Sequence, residues 1–169
     1  GLGANAILAG AGDDTLVYLV TAHLHANNAS VDASVAGGDG TDTVQIGTTG
    51  TAFAIAAGDT WGGWTTVETI RAVANTAAVT VALHAGAYTA GIRTVDLSAA
   101  ASATGNTIDI SLFTSTGATT LTGSATGVTT ITGGAGADII TGGTAADIFV
   151  ASAGNDVVTA GGGTIVDTF

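Results

Sequence analysis

Three aspartates, Asp138, Asp147 and Asp156, recur every nine residues near the end of the sequence, each just after a glycine-rich bend. Residues 133–141 read GGAGADIIT, a full match to the pattern G-G-x-G-x-D-x-U-x, where U is large and apolar. Residues 142–150 depart from it only at Ala145, and 151–159 keep Gly154, Asp156 and Val158 but carry Ala151 and Ser152 in place of the doubled glycine. A second full match, GGDGTDTVQ, lies at 37–45, with a near match, AGAGDDTLV, at 9–17 and Asn5 in the acid position of the fragment before it. A glycine turn that exposes carbonyl oxygens and ends on a carboxylate offers only hard oxygen donors. Ca²⁺ takes roughly six to eight of these at about 2.3–2.6 Å, so two stacked turns are needed to complete one shell.

Successive nonapeptides alternate sides of such a stack, which makes residues two periods apart partners. Asp138 and Asp156 have that spacing, and the expected first calcium site joins them with main-chain oxygens of Gly134, Gly136, Ala151 and Ala153. Asp147, in the turn of Gly143, faces Thr129 and Ile165 in register and reads as a half-site, with Asp167 its nearest acid after a small slip. The expected second site sets Asp14, with Gly10 and Gly12, against the 37–42 turn, which supplies Gly37, Asp39 and Asp42. Asp32, two periods after Asp14, is a further contributor. Simple turn chemistry, in which Asp bonds its own backbone, would explain a Gly-Asp pair but neither the spacing nor the doubled glycines.

The elements that position these acids follow from the same period. About three residues form a strand whose middle side chain, Ile140, Phe149 or Val158, points into a thin core, and the rest form the turn. Ile139, Ile148 and Val157 then face outward as an apolar row, a contact surface for neighbouring segments or molecules. Between the repeat clusters the runs TVALHA (80–85), RTVDLSA (93–99), NTIDISL (106–112), TTLTGS (119–124) and TTITGG (129–134) alternate and are β-branched. Helical periodicity is scarce, its best candidates lying around 19–28 and 65–75. The sequence therefore predicts an all-β, right-handed parallel β-roll or β-solenoid with calcium-binding Gly/Asp turns. Residues 1–45 form N-terminal repeats with an inserted loop, 46–118 an irregular solenoid, and 119–169 a C-terminal roll and cap. Together they read as one continuous solenoid cut from a longer chain.

Composition narrows the function classes. Thirteen acids face two bases, Arg71 and Arg93, for a formal charge of −11, which excludes nucleic acid as a partner and calls for a neutralising cation. The sequence has no cysteine, so disulfides and thiolate metal sites are absent. No basic leader opens it, and its longest apolar stretch, 72–92, is broken by polar residues, so membrane insertion is not expected. Neither G-x-S-x-G nor H-E-x-x-H occurs, and no enzyme activity is expected. His23 and His25 lack a third metal ligand, and Glu68, the one glutamate, reads as structural. Trp61 and Trp64 suit an irregular corner or open end better than a sugar-stacking platform. A threonine ladder for ice is broken where the repeats are strongest.

The nonapeptides at both ends resemble the RTX family, proteins that Gram-negative bacteria export by type I secretion. ADIFVASAGNDVV and the closing TIVDTF are similar to the end of an RTX block, with Thr168 intervening before Phe169. WTTVETIRAVAN and IRTVDLSAA resemble the solenoid of RTX surface-layer proteins. The resemblance implies export as an unfolded chain and folding outside the cell, where calcium is abundant. It implies a non-enzymatic, calcium-stabilised structural protein of the bacterial cell surface, a surface-layer lattice component. Expected partners are calcium, neighbouring domains or copies through Ile139, Ile148 and Val157, and a cell-surface polysaccharide. The alternative is a calcium-dependent folding and secretion module of an adhesin or extracellular enzyme.

Overall fold

The computed structural model describes residues 6–19, 34–59, 61–150 and 152–162. Its strands are β1 (Ala6–Ala11), β2 (Thr15–Tyr18), β3 (Ser34–Asp39), β4 (Thr43–Ile46), β5 (Phe53–Ile55), β6 (Trp64–Thr65), β7 (Thr69–Ala72), β8 (Val79–His84), β9 (Thr94–Asp96), β10 (Asn106–Leu112), β11 (Thr120–Thr122), β12 (Thr129–Thr132), β13 (Ile139–Thr141), β14 (Ile148–Val150) and β15 (Val157–Thr159). All strand pairings are parallel. A seven-stranded sheet runs β15-β13-β11-β9-β7-β4-β2, and a five-stranded sheet runs β14-β12-β10-β8-β5. A short third sheet, β1-β3-β6, stands beside the N-terminal coils. The chain is thus an all-β solenoid, as alternation and period predict.

The core is two facing columns with one apolar side chain per coil. In the larger sheet the aligned positions are Leu16, Val44, Ile70, Val95, Leu121, Ile140 and Val158. In the smaller they are Ile55, Val81, Ile108, Ile131 and Phe149. Ile140 and Phe149 are buried as expected, whereas Val158, on the terminal strand of its sheet, stays 37% exposed. Trp61 and Trp64 are buried in this core, edge to face at 5.1 Å, with Tyr18 against Trp64. They lie where the short sheet ends, so they fill an irregular corner and offer no stacking platform.

One expectation is corrected and one is not tested. Residues 65–75 are not helical: Thr69–Ala72 is β7, because its alternating Ile70 and Ala72 face the core while Arg71 faces out. The helix candidate at 19–28 lies, beyond Leu19, outside the described residues. The one described helix, α1 (Ala85–Ala90), is instead a single short excursion between β8 and β9. His84 caps it by accepting the Gly86 N–H, and Gly91, at φ 119°, ends it.

Coil length also differs from a uniform eighteen. Partners across the first coil are 28 residues apart, across the next 26, and only near the C-terminus do they fall to 19 and 18. The extra residues go into insertions between strands, so strand register is kept while the nonapeptide clock is lost.

Candidate calcium-binding turns

The acids are carried at the step from turn to strand, one residue before each strand of the seven-stranded sheet begins. Reading across that sheet, the column is Asp14, Asp42, Glu68, Arg93, Thr119, Asp138 and Asp156. Each acid after the first reaches to the coil before it. Asp14 N–H donates to Asp42 Oδ1 at 2.9 Å, Asp42 N–H to Glu68 Oε2 at 2.8 Å, and Asp138 N–H to Asp156 Oδ1 at 2.9 Å. Asp138, 1% exposed, takes Thr119 N–H and Thr119 Oγ–H on one oxygen and Gly134 N–H on the other. Charge-assisted bonds of this kind are shorter and stronger than neutral ones, which is how a carboxylate is tolerated in the wall of a core.

The five-stranded sheet repeats the device. Fully buried Asp147 accepts Thr129 N–H at 2.8 Å and Gly143 N–H at 2.6 Å. Two coils earlier, Asn106 takes the Val79 N–H through its side-chain oxygen. Asp147 therefore stacks over Thr129, as its spacing predicts, and no carboxylate stands beneath it.

Glycine is required where the turns stack. Gly154 has φ 111°, and a Cβ there would collide with the Gly136 carbonyl oxygen of the preceding coil. The same overlap recurs at Gly38 over Gly10 and at Gly143 over Ser124. The turn carbonyls thus point along the stack, each toward the next coil. Gly154→Ala is expected to cost about 2 kcal/mol from strain and overlap. Gly58→Ala, where open space surrounds the added methyl, should be close to neutral in the same urea titration.

The sequence-derived sites map onto this geometry as follows. Asp138 and Asp156 are joined, and Gly134 shares a groove of about 150 Å³ with exposed Ala153. Gly136 lies under Gly154. Ala151 and Asp167 lie outside the described residues, as do Asp32, His23 and His25. Asp14 meets Asp42, with Gly10 under Gly38 and Gly12 under Gly40. Asp39 is exposed, and its main-chain oxygen accepts the Gly12 N–H. Asp13, which the motif did not single out, holds Thr41 N–H at 2.8 Å. Glu68 and Asn106 were likewise missed as members of the columns. Aligning DTVQI, ETIRA, RTVDL and TTLTG on their shared threonine would have revealed Glu68.

The donors fit calcium. Adjacent coils are one strand spacing apart, about 4.8 Å, close to twice a Ca–O distance of about 2.4 Å, so oxygens from successive turns suit one shared cation. Among the described residues no three acidic or histidine side chains gather in one place, so main-chain oxygens must complete any shell. At the N-terminal pair, Asp14 Oδ2 and Asp42 Oδ2 are buried without a hydrogen-bond partner, the arrangement expected where a cation is the missing partner.

A family model for the RTX calcium-binding nonapeptide repeat matches in four copies, over residues 1–17, 124–158 and 141–164. The chain carries RTX calcium-binding repeats. RTX repeats are calcium-binding modules typical of extracellular proteins exported by type I secretion. The matches leave 18–123 uncovered, the stretch where the solenoid lengthens its coils. No curated protein and no solved structure matches the chain.

Proposed function

We propose that this RTX chain is a non-enzymatic structural part of a bacterial cell surface, a surface-layer lattice component whose solenoid is stabilised by calcium. The observation that carries the reading is the set of apolar side chains left exposed on the outer faces of both sheets of the repeats. The expected single row divides, because successive repeats alternate sheets: Ile139 and Val157 are neighbours on β13 and β15, 50% and 61% exposed, while Ile148 stands on β14 of the other sheet, 42% exposed beside Val150 at 43%. Apolar side chains exposed on two outer faces call for contacting surfaces on both. A neighbouring copy or domain supplies them in a lattice. Attachment to a cell-surface polysaccharide belongs to the same reading, although the buried tryptophans provide no aromatic platform for it.

The test is negative-stain electron microscopy of the purified chain with and without added calcium. Ordered arrays should form with calcium, and the triple variant Ile139→Ser, Ile148→Ser, Val157→Ser should remain dispersed while keeping its β-sheet circular dichroism. Dispersed unmodified chain in calcium would favour the second reading, a folding and secretion module of an adhesin or extracellular enzyme. That reading draws on the repeats themselves, which occur in exported proteins of many kinds.

A further inference from the structure

Of the two bases, Arg71 is exposed on the outer face of β7, whereas Arg93, between α1 and β9, is half-buried. Arg93 Nη1 donates to the Tyr88 carbonyl at 2.6 Å and to the Ile92 carbonyl at 2.7 Å. Its guanidinium carbon lies 3.4 Å from the centre of the Tyr88 ring. That ring is itself held: Phe113 meets it edge to face at 5.4 Å, and a Cβ on Gly117 would overlap its hydroxyl. With Nη1 pinned and the plane stacked, the edge formed by Nε and Nη2 has no acceptor among the described residues. This edge is a fork that takes both oxygens of a carboxylate. Although acids outnumber bases thirteen to two, Arg93 makes no ion pair among the described residues.

A cleft of about 480 Å³ opens beside it, lined by Ala85, Tyr88, Thr89, Arg93, Thr114 and Ser115. Thr89, Thr114 and Ser115 are exposed. Three free-standing hydroxyl side chains thus surround one fixed cation, and no acid lines the cleft. This lining fits a sugar ring bearing a carboxylate, whose own hydroxyls exchange hydrogen bonds with those of the protein. A peptide suits it less, because the lining comes from α1, Arg93 and the segment after β10, with no strand edge for an added strand.

We propose that this cleft binds a carboxylate-bearing sugar of an acidic polysaccharide, with the Nε–Nη2 edge of Arg93 on the carboxylate and the three hydroxyls on the ring. The proposal rests on the cell-surface reading for the polysaccharide as the source of the ligand. Binding in solution needs no array, so either can fail without the other.

Calorimetric titration of the whole chain in calcium provides the test, with a tetrasaccharide of alternating glucuronate and N-acetylglucosamine as the probe. Saturable binding is expected, and it should vanish when the carboxylates of the probe are reduced to alcohols. Arg93→Gln should weaken binding at least about tenfold, the scale of a hydrogen bond to a charged group. Thr114→Asp, at an exposed position, sets a carboxylate in the cleft and should weaken binding as much while keeping its β-sheet circular dichroism. Arg71→Gln should bind as the unmodified chain does. No binding of the probe overturns the proposal, as does equal binding of its reduced form. Undiminished binding in folded Thr114→Asp overturns it even if Arg93→Gln fails to fold. Equal loss in Arg71→Gln reveals diffuse charge attraction, and tighter binding of tetraglutamate reveals a peptide site; either result also overturns it.

Discussion

Asp138→Ala is expected to destabilise the chain by about 3 kcal/mol or more, since each buried donor left without a partner costs about 1–3 kcal/mol. The substitution strands Thr119 N–H, Thr119 Oγ–H and Gly134 N–H inside the wall of the core. Asp147→Ala should cost a similar amount, because Thr129 N–H and Gly143 N–H lose the same kind of partner at an equally buried position. Asp156→Ala should cost less, its carboxylate being half-buried near the last described coil. Calcium uptake is expected to rank differently. Asp138→Ala and Asp156→Ala should each lose an ion, and Asp147→Ala should not, since Thr129 beneath it carries no carboxylate. Urea titration in chelator reads the first order, and calorimetric calcium titration the second. If the two orders coincide, the acids of the two sheets do not divide into capping and cation-binding roles.

Removing calcium is expected to have the largest effect of all. With thirteen acids against two bases, the compact chain repels itself, and each bound ion removes two of those charges. An ion present at a hundred times its dissociation constant adds about 2.7 kcal/mol to stability, and several sites together exceed the margin of an ordinary domain. Circular dichroism in EGTA should show loss of β-structure or a steep fall in melting temperature, restored by excess calcium. Magnesium at equal ionic strength should not restore it, because it holds its waters and demands a tighter octahedron. β-structure and melting temperature unchanged by chelation would refute calcium-dependent folding.

Much of this was legible in the sequence because the repeat carries its own geometry. The nonapeptide at 133–141 states strand, turn and side-chain direction at once, and Ile140 and Ile139 lie inward and outward accordingly. The eighteen-residue rule was legible only where coils have that length. It offered Asp32 as a contributor beside Asp14, whereas the motif match at 37–45 set Asp14 against the 37–42 turn, and the first coil, 28 residues long, does bring Asp42 to Asp14. An insertion between strands leaves register intact but is invisible to a fixed period. Glu68 escaped for a different reason: its turn has the same length as those before Asp14 and Asp42, but Thr66, at φ 51°, makes the bend that the motif assigns to glycine. The helix at Ala85–Ala90 was missed because a six-residue excursion is too short for periodicity to register.

The columns of capping carboxylates make the solenoid chemically one-way. In each, the backbone N–H of an earlier coil is held by the side chain of a later one, as in Thr119 to Asp138 and Asp138 to Asp156. Erosion from the two ends is therefore unequal. Stripping a coil from the leading side frees a carboxylate, which water solvates readily. Stripping one from the trailing side leaves a backbone donor stranded in the wall of the coil before it. A protease nicking the trailing edge should unravel coils in sequence, while the same cut at the leading edge should stop after one.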